Sequence, residues 1–262
     1  MKIVAVIPAH MASVRFPGKI LFPFHGLPMI EHVRRRALMS NSLADVIVAT
    51  CDDEIASVVR GFGGKVVRTA NTHKNGTTRV AEAIKEIDCS HVILLQGDEP
   101  LLLPRHIDSL TNAIESDPNG YAWNATGPIE GSDELDKNSF VKCTVGAKNR
   151  IIYCFRRSPC YSDFHIQKNL IRKILGIIAY RKNFLLELTN LPQSPIERSE
   201  FIEQMRILEY NFSLQSVPVF PSPPSVNEPC EADIVLRYIQ QNIEQKALLE
   251  KVLSQTYRSQ SK

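Results

Sequence analysis

The sequence predicts an α/β protein: a doubly wound, mostly parallel or mixed sheet joined to a β-rich extension. Three observations carry this. An apolar N-terminal strand runs into the basic, glycine-containing loop Ile7-Pro8-Ala9-His10-Met11-Ala12-Ser13-Val14-Arg15-Phe16-Pro17-Gly18-Lys19. A second apolar strand, Val92-Ile93-Leu94-Leu95, ends in the acidic turn Gln96-Gly97-Asp98-Glu99-Pro100. Between them, short apolar runs alternate with segments of helical spacing, the pattern of a parallel sheet with helical crossovers.

In chain order, residues 2–7 are β-branched and apolar enough for a buried parallel strand, and residues 29–40 have helical periodicity. Strands follow at 46–50, 65–68 and 91–96, separated by helices at 54–61 and 78–88. Ligands of such folds bind at the carboxyl ends of the strands, so Arg15, Asp52 and Asp98 should approach one edge. From Tyr121 the pattern turns β-rich, with segments at 122–128, 140–145, 151–155 and 174–181, which suits a mixed sheet whose extension covers the cleft. Residues 201–209 read as a helix with Glu203, Gln204 and Arg206 at polar positions. The proline-rich stretch 218–224 cannot be helical, and 231–254 has the periodicity of one closing helix. There is no internal repeat, and only the last four residues, 259–262, read as disordered.

The chain has 262 residues, 44% hydrophobic and 23% charged, enough for one large α/β domain with a sizeable core. Lys+Arg number 31 against 28 Asp+Glu, a net charge of +3 that gives no reason to expect nucleic acid. No apolar run is long enough for a membrane span, and the N-terminal run is too short for a signal peptide, so a cytoplasmic protein is expected. Six cysteines, at 51, 89, 143, 154, 160 and 230, form no C-x-x-C pair and have no histidine at zinc-ligand spacing. They read as reduced, buried or half-buried residues.

Each motif has two readings on its own. The loop at 7–19 is either a cradle whose amides, Arg15 and Lys19 converge on a polyanion, or a solvated turn with two surface cations. The turn at 96–100 is either a Mg²⁺ ligand site that shares its metal with substrate phosphates, or an ordinary acidic turn.

Taken together and in this order, the two motifs resemble those of cytidylyltransferases that activate acidic sugars, the 3-deoxy-manno-octulosonate cytidylyltransferase (CMP-KDO synthetase) family. The resemblance extends through Gly26-Leu27-Pro28-Met29-Ile30, Val48-Ala49-Thr50 and His73-Lys74-Asn75-Gly76-Thr77-Thr78-Arg79. It continues with Val141-Lys142, Arg157-Ser158-Pro159, Gly176-Ile177-Ile178-Ala179-Tyr180, Ser194-Pro195-Ile196-Glu197 and Glu203-Gln204-Met205-Arg206. It implies a Rossmann-like, nucleotide-diphospho-sugar-transferase fold in a single domain over 1–262. Residues 1–120 would be mainly the CTP-binding half, 121–225 an acceptor-binding and dimerisation extension, and 226–262 a metal-proximal turn with the closing helix. The implied reaction is transfer of CMP from CTP to a sugar acid, most closely 3-deoxy-manno-octulosonate, with release of pyrophosphate, for cell-surface polysaccharide such as lipopolysaccharide.

The resemblance also implies roles. Arg15 and Lys19 would hold the triphosphate, with Asp98 completing the catalytic set and binding Mg²⁺ beside Asn227. Pro8, Ala9, Ser13, Gly76 and Arg79 would complete the nucleotide site. Gln96, Arg157, Glu203 and Gln204 would bind the acceptor, Arg157 pairing with its carboxylate. The partners are CTP, the sugar acid and a second copy of the chain, with no nucleic acid and no membrane insertion.

Several positions depart from the family pattern. His10 stands where an arginine is usual, Ile174 where a histidine is usual, and Asn227 where a second metal-binding aspartate is usual. Glu228, Glu231 or Asp233 could replace the missing charge. Cys51 and Thr78 replace residues that are commonly acidic. Two alternatives follow: a different acceptor, such as an amino-deoxy octulosonate, another ulosonic acid or a phosphonate, or a non-catalytic nucleotide-sugar-binding protein.

Overall fold

The computed structural model describes residues 1–160 and 162–255, so the expectation for 259–262 lies outside the described residues. Two compact units divide the chain: Met1–Asp108 with the segment from Pro223 onward, and Ser109–Ser222.

The first unit contains β1 (Ile3–Ala9), the small hairpin β2 (Pro23–Phe24) and β3 (Leu27–Pro28), α1 (Met29–Ala37), β4 (Asp45–Thr50), α2 (Asp53–Gly61), β5 (Lys65–Arg68), α3 (Gly76–Ala83) and β6 (His91–Leu95). Every residue of β1 and β6 is buried, as continuous apolar runs in a covered parallel sheet require. The strands run in the order β6-β1-β4-β5, all parallel, with Ala5 opposite Val46 on one side of β1 and Ile93 on the other. The chain winds from β1 out to β5, then returns to the far side of β1 for β6. That reversal makes the β1/β6 junction a topological switch point, where a doubly wound sheet opens its crevice.

Helix α1 is buried on all sides, including Glu31 and the run Arg34-Arg35-Arg36. Glu31 accepts Arg34 through two contacts of 2.7 Å and Arg35 at 3.2 Å. Arg35 also donates to the Val252 carbonyl at 2.7 Å, in the last helix of the chain. Helix α4 (Pro104–Ser116) then carries the chain from the first unit into the second.

The second unit contains β7 (Ala122–Pro128), β8 (Lys142–Val145), β9 (Ile151–Phe155), α5 (Phe164–Leu170), β10 (Ile171–Arg181), α6 (Lys182–Asn190), α7 (Pro195–Glu200), α8 (Gln204–Glu209) and β11 (Leu214–Pro218). Here β7 pairs parallel with β11 and antiparallel with β10, while β8 pairs antiparallel with β10 and β9. The fold class is therefore the expected one, α/β with a parallel doubly wound sheet and a mixed, β-rich extension.

Several elements differ from the sequence reading. Residues 201–209 do not form one helix: Phe201 adopts a left-handed backbone (φ 56°), and α8 starts only at Gln204. The preceding α7 has a capping box between Ser194 and Glu197, a start signal present in Ser-Pro-Ile-Glu. Residues 231–254 break into α9 (Glu231–Gln241) and α10 (Ile243–Ser254) at Asn242, whose side chain caps α10 by accepting the Gln245 N–H at 3.0 Å. Residues 78–88 are helical only to Ala83, and that helix begins earlier, behind the N-cap Asn75. The thiols of Cys89, Cys143 and Cys154 are buried and those of Cys51 and Cys160 half-buried, as expected, but Cys230 is exposed because it precedes α9 on the surface. All six are free.

Candidate active site

The site forms where β1 and β6 end. Val6 lies opposite Leu94, so Pro8 and Gln96 emerge side by side at the switch point. After β1 the chain is fixed at once: Met11 donates its N–H to the Asp52 carboxylate at 3.0 Å, and its carbonyl accepts Ser13 and Gly18 at 2.9 and 3.2 Å. Gly18 takes a left-handed conformation (φ 70°), which turns the chain back so that Lys19 points into the cleft.

Lys19 Nζ donates to Asp98 Oδ2 at 2.5 Å and to the Val226 carbonyl at 3.2 Å, and the Val226 N–H bonds the Asp98 carbonyl at 3.0 Å. The acidic turn after β6 and the turn before α9 are thereby tied together. Arg15 Nη2 donates to Asn227 Oδ1 at 3.1 Å, and Asn227 Nδ2 donates to Ser225 Oγ at 3.2 Å. Glu231 accepts the backbone N–H groups of Asn227 (2.5 Å) and Glu228 (2.9 Å). Its carboxylate braces that turn.

Two adjoining hollows share the wall Pro8, His10 and Gln96. One is completed by Ser13, Lys19 and Asp98, the other by His73, Asn75, Gly76 and Arg79. A Cβ at Gly76 would sit 3.0 Å from Pro8 Cγ and 3.8 Å from Gln96 Nε2, so this position must stay small to keep the second hollow open. Arg79 lines it while almost wholly buried, donating to Thr69 Oγ1 at 2.6 Å and the Ala70 carbonyl at 3.3 Å. Glu82 accepts the Ala70 N–H and pairs with His73, fixing the segment in front of α3. Partial burial, reinforced by the Arg79 guanidinium, lowers the His10 pKa, with Asp52 opposing. The neutral ring is thereby favoured over the imidazolium.

A cationic loop, a carboxylate and two small hollows at a switch point suit a nucleotide, and the chain matches the cytidylyltransferase family model over residues 4–215. The chain belongs to the cytidylyltransferase family. It is 35% identical over 247 residues to 3-deoxy-manno-octulosonate cytidylyltransferase of Geobacter metallireducens, covering 90% of this chain and 97% of that protein. The Escherichia coli enzyme of the same name is 34% identical over 246 residues, covering 94% and 99%. The 8-amino-3,8-dideoxy-manno-octulosonate cytidylyltransferase of Shewanella baltica is 38% identical over 219 residues, covering 82% and 89%. Among solved structures, CMP:2-keto-3-deoxy-manno-octonic acid synthetase complexed with CTP superposes with a TM-score of 0.85 at 34% identity, covering 92% of this chain and all of that one. This cytidylyltransferase is thus a nucleotidyltransferase enzyme of the 3-deoxy-manno-octulosonate branch. Among the described residues no helix is long and apolar enough to cross a membrane.

Of the residues singled out in the sequence, Pro8, Ser13, Lys19, Gly76, Arg79, Gln96 and Asp98 line the two hollows. Ala9 ends β1 fully buried, so only its backbone is available there. Arg15 is exposed on the loop and lines neither hollow, but its bond to Asn227 brings it to the turn before α9. Arg157, Glu203 and Gln204 belong to the second unit. Arg157 is exposed in the segment after β9, where the preceding Arg156 donates to the Glu200 carbonyl at 3.2 Å, beside the chain leading into α8. Glu203 and Gln204 open α8, half-buried. Sequence reasoning missed Glu82 and the bracing role of Glu231. The signal for Glu231 was a carboxylate in the first helical turn after a loop that needs its amides satisfied, whereas Glu82 lies near the far end of α3 and had no such signal.

Proposed function

We propose that this cytidylyltransferase transfers CMP from CTP to a 3-deoxy-manno-octulosonate-type sugar acid. The observation that carries the reading is the convergence of Lys19, Asp98 and Gln96 at the β1/β6 switch point, in a chain that matches octulosonate cytidylyltransferases along nearly their whole length. In the reaction an anomeric hydroxyl oxygen of the acceptor bonds to the α-phosphorus of CTP, and the bond from that phosphorus to the bridging oxygen breaks. Pyrophosphate departs with the bond's electrons, and the hydroxyl proton passes to solvent.

Such a step needs alignment and charge neutralisation more than a protein nucleophile. Lys19 supplies a point charge and Arg15 a forked donor to the triphosphate, both carried by the loop that Asp52 fixes. The second hollow, with Gly76 and Arg79, takes base and ribose. Neutral His10, in the wall common to both hollows, supplies a hydrogen bond there rather than a cation.

The Asp98 carboxylate and the Asn227 amide are hard oxygen donors on turns tied together through Val226, which fits a Mg²⁺ that draws its other ligands from waters and phosphates. Bound there, Mg²⁺ would neutralise the triphosphate oxygens as charge shifts to the leaving group. Acceptor recognition falls to Gln96 and to Arg157, Glu203 and Gln204, with Arg157 as the carboxylate partner. The exposed apolar side chains Ile152, Ile166, Leu170 and Phe201 of the second unit support pairing with a second copy of the chain. A reaction that consumes CTP belongs in the cytoplasm.

A second acceptor is favoured by two specific observations. Ile174 removes a side-chain donor from β10, and the amino-sugar enzyme of Shewanella is 38% identical to this chain. The test is a panel of 3-deoxy-manno-octulosonate, its 8-amino-8-deoxy analogue, other ulosonic acids and a phosphonate, each with CTP and Mg²⁺, scored by kcat/KM for pyrophosphate release. Octulosonate or its amino analogue should lead the panel. A phosphonate or an unrelated ulosonic acid in first place would overturn the acceptor assignment.

A further inference from the structure

Asn124 lies in the middle of β7, fully buried between Trp123 and Ala125, where a sheet interior normally carries an apolar residue. Its Nδ2 donates to three main-chain carbonyls, those of Ala125 at 2.9 Å, Leu175 at 3.0 Å and Ile177 at 3.3 Å. Carbonyls only accept, so these contacts determine which end of the amide is nitrogen. Leu175 and Ile177 belong to the stretch of β10 where the pairing with β7 slips: Ile174 faces Thr126, and the next paired residue, Ile178, faces Asn124. The Asn124 amide stitches this bulge and leaves its Oδ1 turned the other way.

That oxygen accepts Gln204 Nε2 at 3.2 Å. An unconstrained glutamine amide offers both donor and acceptor by rotating. Here one N–H of the amide is committed, which fixes the orientation of the group and turns Oε1, which only accepts, away from Asn124. An ionised carboxylate at the neighbouring Glu203 also only accepts.

We propose that Asn124 is a positioning residue for acceptor recognition: by holding the Gln204 amide in one orientation, it reserves Oε1 for a hydrogen-bond donor on the sugar acid, a hydroxyl or an ammonium. This rests on the acidic-sugar reading above. It gives the Oδ1 end of this buried amide a role beyond the bulge that Nδ2 stitches, and it predicts discrimination against acceptors whose donor has been capped.

The test is a double-mutant cycle of Asn124→Ala and Gln204→Met, with KM for the sugar acid, KM for CTP and Tm measured for each protein. Octulosonate, its 8-amino analogue and their O- or N-methylated forms serve as acceptors. Each single substitution should raise the acceptor KM about tenfold, the scale of one lost hydrogen bond, and leave the CTP KM within about twofold. The double variant should cost no more than either single. Asn124→Thr, whose hydroxyl can donate to a carbonyl and accept from Gln204, should recover most of the loss, and it carries the cycle if the alanine variant does not fold. Additive effects on acceptor KM, with coupling confined to Tm, would make Asn124 a purely structural residue and overturn the proposal. So would a wild-type enzyme that uses methylated acceptors as well as those with free donors. Wild-type silence with every sugar acid would overturn the acceptor reading itself, and this proposal with it.

Discussion

Lys19 and Asp98, from distant parts of the chain, pair at 2.5 Å with side chains only 12% and 21% exposed, and the proposed function assigns the chemistry of the cleft to these two side chains. Replacing either should separate binding from turnover. Lys19→Ala should raise the KM for CTP about tenfold or more, whereas Asp98→Asn should lower kcat by about a hundredfold, the usual scale for removing a group that stabilises developing charge. Steady-state kinetics with CTP as the varied substrate checks both, and an unchanged CTP KM in the lysine variant would remove Lys19 from the triphosphate site. Asn227→Asp adds one negative charge 3.1 Å from Arg15 and next to Val226, which Lys19 contacts. It should lower the Mg²⁺ concentration needed for half-maximal rate, and a flat response in a Mg²⁺ titration would show that this turn does not face the metal. Lys19, Gln96 and Asp98 stood out in the sequence because each sits beside a glycine in the loop or turn that follows an apolar strand. The contact that fixes the basic loop did not, since nothing in the spacing links Met11 to Asp52. That pair arises only when the two loops fold against one another.

Among elements, β8 of the second unit carries a group whose behaviour can be read by pH. Lys142 is fully buried, donating to the carbonyls of Lys137 at 2.5 Å and Phe140 at 3.2 Å, with its ammonium 4.5 Å from the Phe140 ring centre. Burial, reinforced by Arg156, lowers its pKa from 10.5 to about 8. The folded form therefore releases this proton before the unfolded chain does. Between about pH 8 and 10.5 the unfolded state binds more protons, so the Lys142 contribution to stability rises with pH through that window. The wild-type Tm minus that of Lys142→Met should increase from pH 8 to pH 10, and a constant difference would contradict the burial argument. At the same scale, strands β1, β4 and β6 of the first unit were legible because residues covered on both faces of a parallel sheet are apolar almost throughout, whereas the two-residue strands β2 and β3 were not. Helices α5, α6 and α7 were not, being short segments whose apolar residues are too few to establish a period. The break at Asn242 was hidden for another reason: the apolar spacing continues across it, and only the capping bond to Gln245 shows where one helix stops.

For the whole molecule, winding order decides where chemistry can occur. Because β6 returns to the far side of β1, the ends of two buried strands lie side by side, and the basic loop and acidic turn meet without a long-range sequence signal between them. The second unit is built on different rules, with antiparallel pairs and a bulged β10, and Arg157, Glu203 and Gln204 come from segments whose sequence carries little periodicity. This contrast explains why the parallel strands of the first unit could be read more directly than the short helices of the second. The central claim is CMP transfer to an octulosonate-type acid, and ³¹P NMR of the purified protein with CTP, Mg²⁺ and 3-deoxy-manno-octulosonate tests it most directly. A single phosphodiester resonance and a pyrophosphate resonance of twice its integral should grow together, dependent on the sugar acid and not reproduced with ATP, GTP or UTP. Unchanged CTP in that mixture and with the 8-amino analogue, or equal turnover of all four nucleotides, would contradict it.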